Sequence, residues 1–150
     1  MKIINLSKKL FIFIIYFLFF LINNTYSLTL EKTSITLDNP WGMSWMDENN
    51  LLITQKSGEI FNVNINDFIK TKIDHDIPFI QYGQGGLLDI IIEKNIVWVT
   101  GSIKKKGKYT TAIFRAEFKN DKLINEKLIY EAIPYFDNGK HFGSRIEILD

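Results

Sequence analysis

Apolar and polar positions follow two different regimes along this chain. From Leu10 to Ile22 the sequence is one unbroken apolar run, rich in Phe and Ile. Lys2, Lys8 and Lys9 precede it, and Thr25 and Ser27 follow it as small polar residues. That layout predicts a secretory signal peptide over residues 1–27, cut after Ser27. The alternative is an uncleaved membrane anchor, but the run is about 13 residues and a spanning helix needs roughly 20.

After residue 28 helical periodicity is scarce. Short runs of β-branched and aromatic residues alternate with Gly, Asn, Asp and Lys turns, the pattern of an all-β protein. The runs predict strands near 33–37, 41–46, 51–55, 59–65, 87–93, 96–101, 109–118 and 123–131, with a last one beginning at Arg145. Asp47-Glu48-Asn49-Asn50 and Lys56-Ser57-Gly58 have turn composition. The stretch through Lys70, Thr71, Lys72, Asp74 and Asp76 reads as a polar connection.

The strands also repeat weakly. Gly42 to Thr54 can be laid against Gly86 to Thr100, each with a Gly, an apolar run, an acidic and Asn turn, a second apolar run and a Thr. Gly143 to Asp150 looks like the start of a third copy. Units of about four short strands at this spacing point to propeller blades. A β-sandwich is the rival, because it too yields many short strands. In a propeller, the segments leading into the innermost strands crowd one mouth of the channel. Here they are Asn39–Gly42, Tyr82–Gly86 and Gly139–Gly143, which puts Gln84 and His141 at that mouth.

Charge changes the picture by exclusion. Loss of residues 1–27 removes three of the 18 basic residues and none of the 17 acidic ones, so the mature chain stands near −2. That gives no electrostatic case for binding nucleic acid. The chain has no cysteine, so its mature part of about 123 residues relies on packing alone in an oxidising compartment.

Among residues able to do chemistry, His141 offers most, since a histidine can take a proton from a hydroxyl near neutral pH. The bland alternative is a turn histidine bonded to backbone. Gln84 can orient a polar ligand or satisfy its own loop. Asp74-His75-Asp76 reads as a solvated loop rather than a metal site, and Lys104 to Lys108 as a hairpin turn. Trp41, Trp45 and Trp98 read as core or sheet-face residues. Gly83 to Gly86 lacks the lysine and helix of a phosphate loop, and no nucleophile elbow is present.

Several of these segments together resemble a known family. Pro40-Trp41-Gly42-Met43, Leu51-Leu52-Ile53-Thr54 with Gly58, Gly83-Gln84-Gly85-Gly86-Leu87-Leu88-Asp89 and His141-Phe142-Gly143-Ser144-Arg145 resemble, in order, the N-terminal part of the glucose/sorbosone dehydrogenases. These are soluble aldose sugar dehydrogenases that use pyrroloquinoline quinone (PQQ). The resemblance implies a six-bladed β-propeller, of which residues 28–150 would hold about the first two and a half blades. It implies His141 as the general base acting on the anomeric hydroxyl of an aldose, with hydride passing to the quinone to give a lactone, and Gln84 as a substrate contact. It also implies PQQ and calcium as cofactors, with their ligands in later blades; the expectation is thus an inactive fragment of a periplasmic or secreted enzyme. Lys140 stands where the soluble glucose enzyme has an acidic residue, which leaves the sugar preference open. A non-catalytic secreted propeller module that binds sugar or protein at the same mouth is the alternative.

Overall fold

The computed structural model describes residues 10–14, 17, 28–143 and 145–149. Most of the segment read as a signal peptide lies outside the described residues; residues 10–14 are helical. Among the described residues no helix is long and apolar enough to cross a membrane. Residues 33–150 form a compact unit of their own.

That unit is two consecutive four-stranded antiparallel sheets, each built in sequence order. The first contains β1 (Pro40–Trp45), β2 (Asn50–Gln55), β3 (Ile60–Asn64) and β4 (Lys70–Ile73). The second contains β5 (Leu87–Glu93), β6 (Ile96–Lys105), β7 (Lys108–Lys119) and β8 (Lys122–Glu131). Each is a meander in which every strand pairs with the next, the organisation of a propeller blade. Strand β5 packs beside β1 and β2 of the first sheet, so the first strand of each sheet is the inner one.

Composition explains the layering. β5 is apolar almost throughout and buried over Leu87–Ile90, because it lies between its own sheet and the first. β7 alternates cleanly, with Thr110, Ala112, Phe114 and Ala116 buried between more exposed neighbours, as a strand covered on one face should. β8 is the outer strand and buries Leu123 alone. One apolar cluster joins the sheets, with Leu52, Ile60 and Ile73 from the first and Leu87, Ile90, Val97, Val99 and Phe114 from the second.

The hairpins follow turn chemistry. Lys106 and Gly107 link β6 to β7 with φ of 52° and 81°, and Asn120 and Asp121 link β7 to β8 with φ of 51° and 55°. Two residues with positive φ match the twist of paired strands. The lysine-rich stretch 104–108 is therefore a hairpin, as its composition indicated.

Three expectations need correction. Residues 33–37 form no strand; their β-branched composition describes a half-buried surface, and a strand also needs a partner. Lys70–Ile73, read as connection, is β4. It sits at the sheet edge, where only Ile73 is buried, so a polar sequence suffices. No strand begins at Arg145 among the described residues.

The repeat is real, but its register differs from the glycine-based alignment. Both inner strands carry a one-residue bulge, between Pro40 and Met43 in β1 and between Leu87 and Ile90 in β5. A bulge leaves a backbone N–H without a ladder partner. In each sheet a threonine of the second strand accepts it: Gly42 N–H donates to Thr54 Oγ1 at 2.8 Å, and Asp89 N–H donates to Thr100 Oγ1 at 3.0 Å. Gly42 therefore corresponds to Asp89, not to Gly86.

Candidate functional site

Two of the three segments that lead into the repeats, Tyr82–Gly86 and Gly139–Gly143, are tied to each other by backbone. The connection from β4 to β5 first anchors itself on β6. Ile80 N–H donates to Ser102 O at 2.9 Å, Ser102 Oγ donates back to Ile80 O at 2.6 Å, and Ser102 N–H donates to Gly86 O at 2.8 Å. Between these anchors Tyr82 and Gly85 close a tight turn by exchanging N–H···O bonds of 2.9 and 3.3 Å. Gln84 stands at the exposed tip of this turn.

The segment around His141 is laid directly on the turn. Gln84 N–H donates to Gly139 O at 2.7 Å. His141 N–H donates to Gln84 Oε1 at 2.9 Å, across 57 positions of sequence. Two glycines make the approach possible. Gly83 has φ of 56°, and a Cβ there would overlap the Gly139 carbonyl. A Cβ on the buried Gly85 would overlap Ser102 Oγ and come within 2.9 Å of the Phe142 ring. Phe142 thus docks next to His141 and fixes the segment on both sides.

His141 is exposed and left-handed, at φ 65°. That region is uncommon for any residue but glycine, and such positions cluster where function holds them. The donor on the His141 backbone also settles the amide of Gln84. Its oxygen is engaged, so its NH2 is what it can offer a ligand, as a donor.

Tyr82 stacks on Tyr109 at 4.1 Å between centroids, nearly parallel, and Lys104 Nζ lies 5.4 Å from the Tyr109 ring. The hairpin thereby flanks the same mouth. Trp41, on the lead-in to the first repeat, is 53% exposed, and Met43 and Trp45 share its open face of β1; Trp41 and Trp45 are sheet-face residues and not core.

Asp89, given no role of its own as the last residue of the Gly83–Asp89 motif, holds the chain just beyond the third segment. Its carboxylate is 4% exposed and accepts from Ile146 N–H at 2.9 Å, with Arg145 Nη1 at 3.5 Å. The signal was present in the sequence as a lone acid inside the apolar run Leu87–Ile92. Asp74-His75-Asp76 is only partly the solvated loop expected. His75 is half-buried, its Nε2 lies 2.7 Å from Gly58 O, and Asp74 backbone pairs with residues 121 and 123.

Calcium takes oxygen ligands, and the described residues offer it no cluster of acidic side chains. Among the described residues no three of His, Cys, Asp and Glu converge on a point, and the buried carboxylate of Asp89 is occupied by Ile146 and Arg145. Lys56, the cation tied to the turn, is engaged with Gly83 O at 2.8 Å.

Residues 37–150 match the family model described as Glucose / Sorbosone dehydrogenase. An uncharacterized protein of Synechocystis is 30% identical, over 75% of this chain and 31% of that protein. Among solved structures, the soluble aldose sugar dehydrogenase of Escherichia coli, in its apo form, superposes with a TM-score of 0.68 at 26% identity, over 75% of this chain and 35% of that one. The PQQ-bound aldose sugar dehydrogenase of Streptomyces coelicolor superposes with a TM-score of 0.59 at 20% identity, a likeness of fold over 70% of this chain and 34% of that one. The chain therefore spans about a third of the length of the relatives it matches. With two successive propeller-type sheets and a family match over residues 37–150, the chain belongs to the glucose/sorbosone dehydrogenase family.

Proposed function

We propose that this chain forms the substrate side of a quinone-dependent aldose sugar dehydrogenase. In this reading His141 is the general base that takes the proton from the anomeric hydroxyl, and Gln84 donates its amide N–H to a sugar oxygen. The observation that carries it is the 2.9 Å bond joining His141 to Gln84. That bond, from the His141 backbone N–H, holds the segment that carries the imidazole against the one that carries the Gln84 amide, which supports reading the first as the base and the second as a donor that orients the hydroxyl. The E. coli relative is an aldose sugar dehydrogenase and the Streptomyces one binds PQQ, which supports the substrate class and the cofactor.

In such an enzyme the quinone is the two-electron acceptor. The quinone and the calcium ion belong, in this proposal, to residues other than those described, and no step assigned to this chain runs through them. His141 holds and moves one proton; Gln84 orients the hydroxyl. Residues 1–27 act as a signal peptide that sends the protein to the periplasm or outside the cell.

The test is sugar-dependent dye reduction by the protein expressed from its complete reading frame, with PQQ and calcium added. His141→Ala is expected to lower kcat by about 10²–10⁴-fold, the usual worth of a positioned base. Gln84→Leu is expected to raise KM roughly tenfold by removing one donor. Residues 28–150 alone are expected to give no turnover, because in this reading the quinone's holders lie elsewhere in the complete protein. Sugar binding with no turnover in the complete protein would sink the enzyme reading and favour a binding module.

A further inference from the structure

The turn that carries Gln84 is held from the first sheet by a residue outside the motifs that define the site. Lys56 lies in the β2–β3 turn and touches both flanking segments. Its N–H donates to Asn39 O at 3.1 Å, and its ammonium lies 5.7 Å from the Trp41 ring centroid. On the other side its Nζ donates to Gly83 O at 2.8 Å, and its carbonyl accepts from Leu87 N–H at 3.2 Å. These last two bonds grip the Gly83–Gly86 turn at both ends. Gly86 permits this grip, since a Cβ there would overlap the Lys56 carbonyl.

We propose that Lys56 is a positioning residue for the candidate sugar site, fixing the Gln84 turn through its ammonium and, through that turn, the backbone of His141. The inference rests on the reading of this mouth as a sugar site. The path is short. Gly83, whose oxygen Lys56 holds, precedes Gln84 directly and lies against the Gly139 backbone. Gln84 then bonds Gly139 O and the His141 N–H. A charged donor on a carbonyl forms a stronger bond than a neutral one, and the Lys56 stem covers Gly86 as well. Because the ammonium already engages a carbonyl, its part is to set where the Gln84 amide stands and not to meet the reacting atoms.

The experiment compares Lys56→Met, which keeps the stem and removes the charge, with Lys56→Arg, which can still donate to Gly83 O and lie over Trp41. Both are made in the complete protein and followed by amide hydrogen exchange and steady-state kinetics. In Lys56→Met, peptides covering 82–86 and 139–142 are expected to exchange about tenfold faster, with β6 unchanged. KM for the aldose is expected to rise about tenfold while kcat changes by less than about threefold, and Lys56→Arg to restore most of both. Unchanged exchange over 82–86 in Lys56→Met would overturn the inference, as would a loosened turn with an unchanged KM. If the wild-type protein oxidises no aldose, the enzyme reading fails by itself, and the exchange comparison still decides whether Lys56 holds the turn.

Discussion

At the scale of single residues, the site rests on backbone crossing backbone. Gly83 meets the Gly139 carbonyl at a positive φ that a side chain resists. Gly83→Ala is therefore expected to displace the Gln84 tip and reduce kcat/KM at least tenfold, with a smaller effect on overall stability; a variant with unchanged kcat/KM would show that the approach is not needed. The sequence marks Gln84 and His141 by their glycine-containing surroundings, Gly83-Gln84-Gly85 and Gly139-Lys140-His141, and the structure brings these two segments together. The residues that hold them are not so marked. Lys56 reads as an ordinary turn lysine, and its bond to Gly83 O depends on a crossing between two sheets that no local pattern reports. Asp89 could have been read, since an acid in an apolar strand has to find a partner.

At the scale of elements, the two bulges and their threonines are the repeated device. Thr54 Oγ1 accepts from Gly42 N–H and also donates to Leu88 O at 2.6 Å, fastening β1 to β5 of the next sheet. Thr54→Val keeps the shape and strands both partners in a buried place, at a cost of about 1–3 kcal/mol for each unsatisfied group. Chemical denaturation of Thr54→Val beside the parent protein measures this, and a loss below 1 kcal/mol would contradict it. The β1–β2 turn has its own signature. Asp47 accepts from Asn49 N–H at 2.8 Å and from the Asn50 side chain and N–H, which hold its carboxyl below the ordinary 3.8. A lowered carboxylate stabilises the fold fully above that ordinary value and ceases to do so as the pH falls through the lower folded value. A pH titration of the Asn49 amide resonance should therefore report opening of the turn only below pH 3.8, and Asp47→Ala should abolish the transition. Inner strands were legible from their apolar runs, and the repeat from its order. The edge strand β4 was not, because one buried residue, Ile73, leaves it looking like a connection. The repeat's register was missed because glycine served as its marker, while the structural constant is the threonine that receives the bulge.

At the scale of the whole described unit, the sheets are not independent. Ile90, 2% exposed, belongs to a cluster that draws on β2, β3 and β4 as well as on its own sheet. Ile90→Ala is expected to cost about 2–5 kcal/mol and to accelerate amide exchange in β2 and β6 together. Acceleration confined to the second sheet would mean that each sheet is stable by itself. This shared core fixes the two inner strands beside each other, and so sets the distance between the segments that lead into them. The position of the mouth follows from packing, and its chemistry from the loops placed there.

The central claim is that Gln84 and His141 act as one sugar site. It is tested most directly by amide exchange of the complete protein, with PQQ and calcium present, as an aldose is titrated in. The account predicts that peptides covering 82–86 and 139–142 become protected together, over the same sugar concentrations, and that Gln84→Leu shifts both curves in parallel to higher concentration. Oxidation of the sugar without protection of either segment, or protection of one without the other, would contradict it.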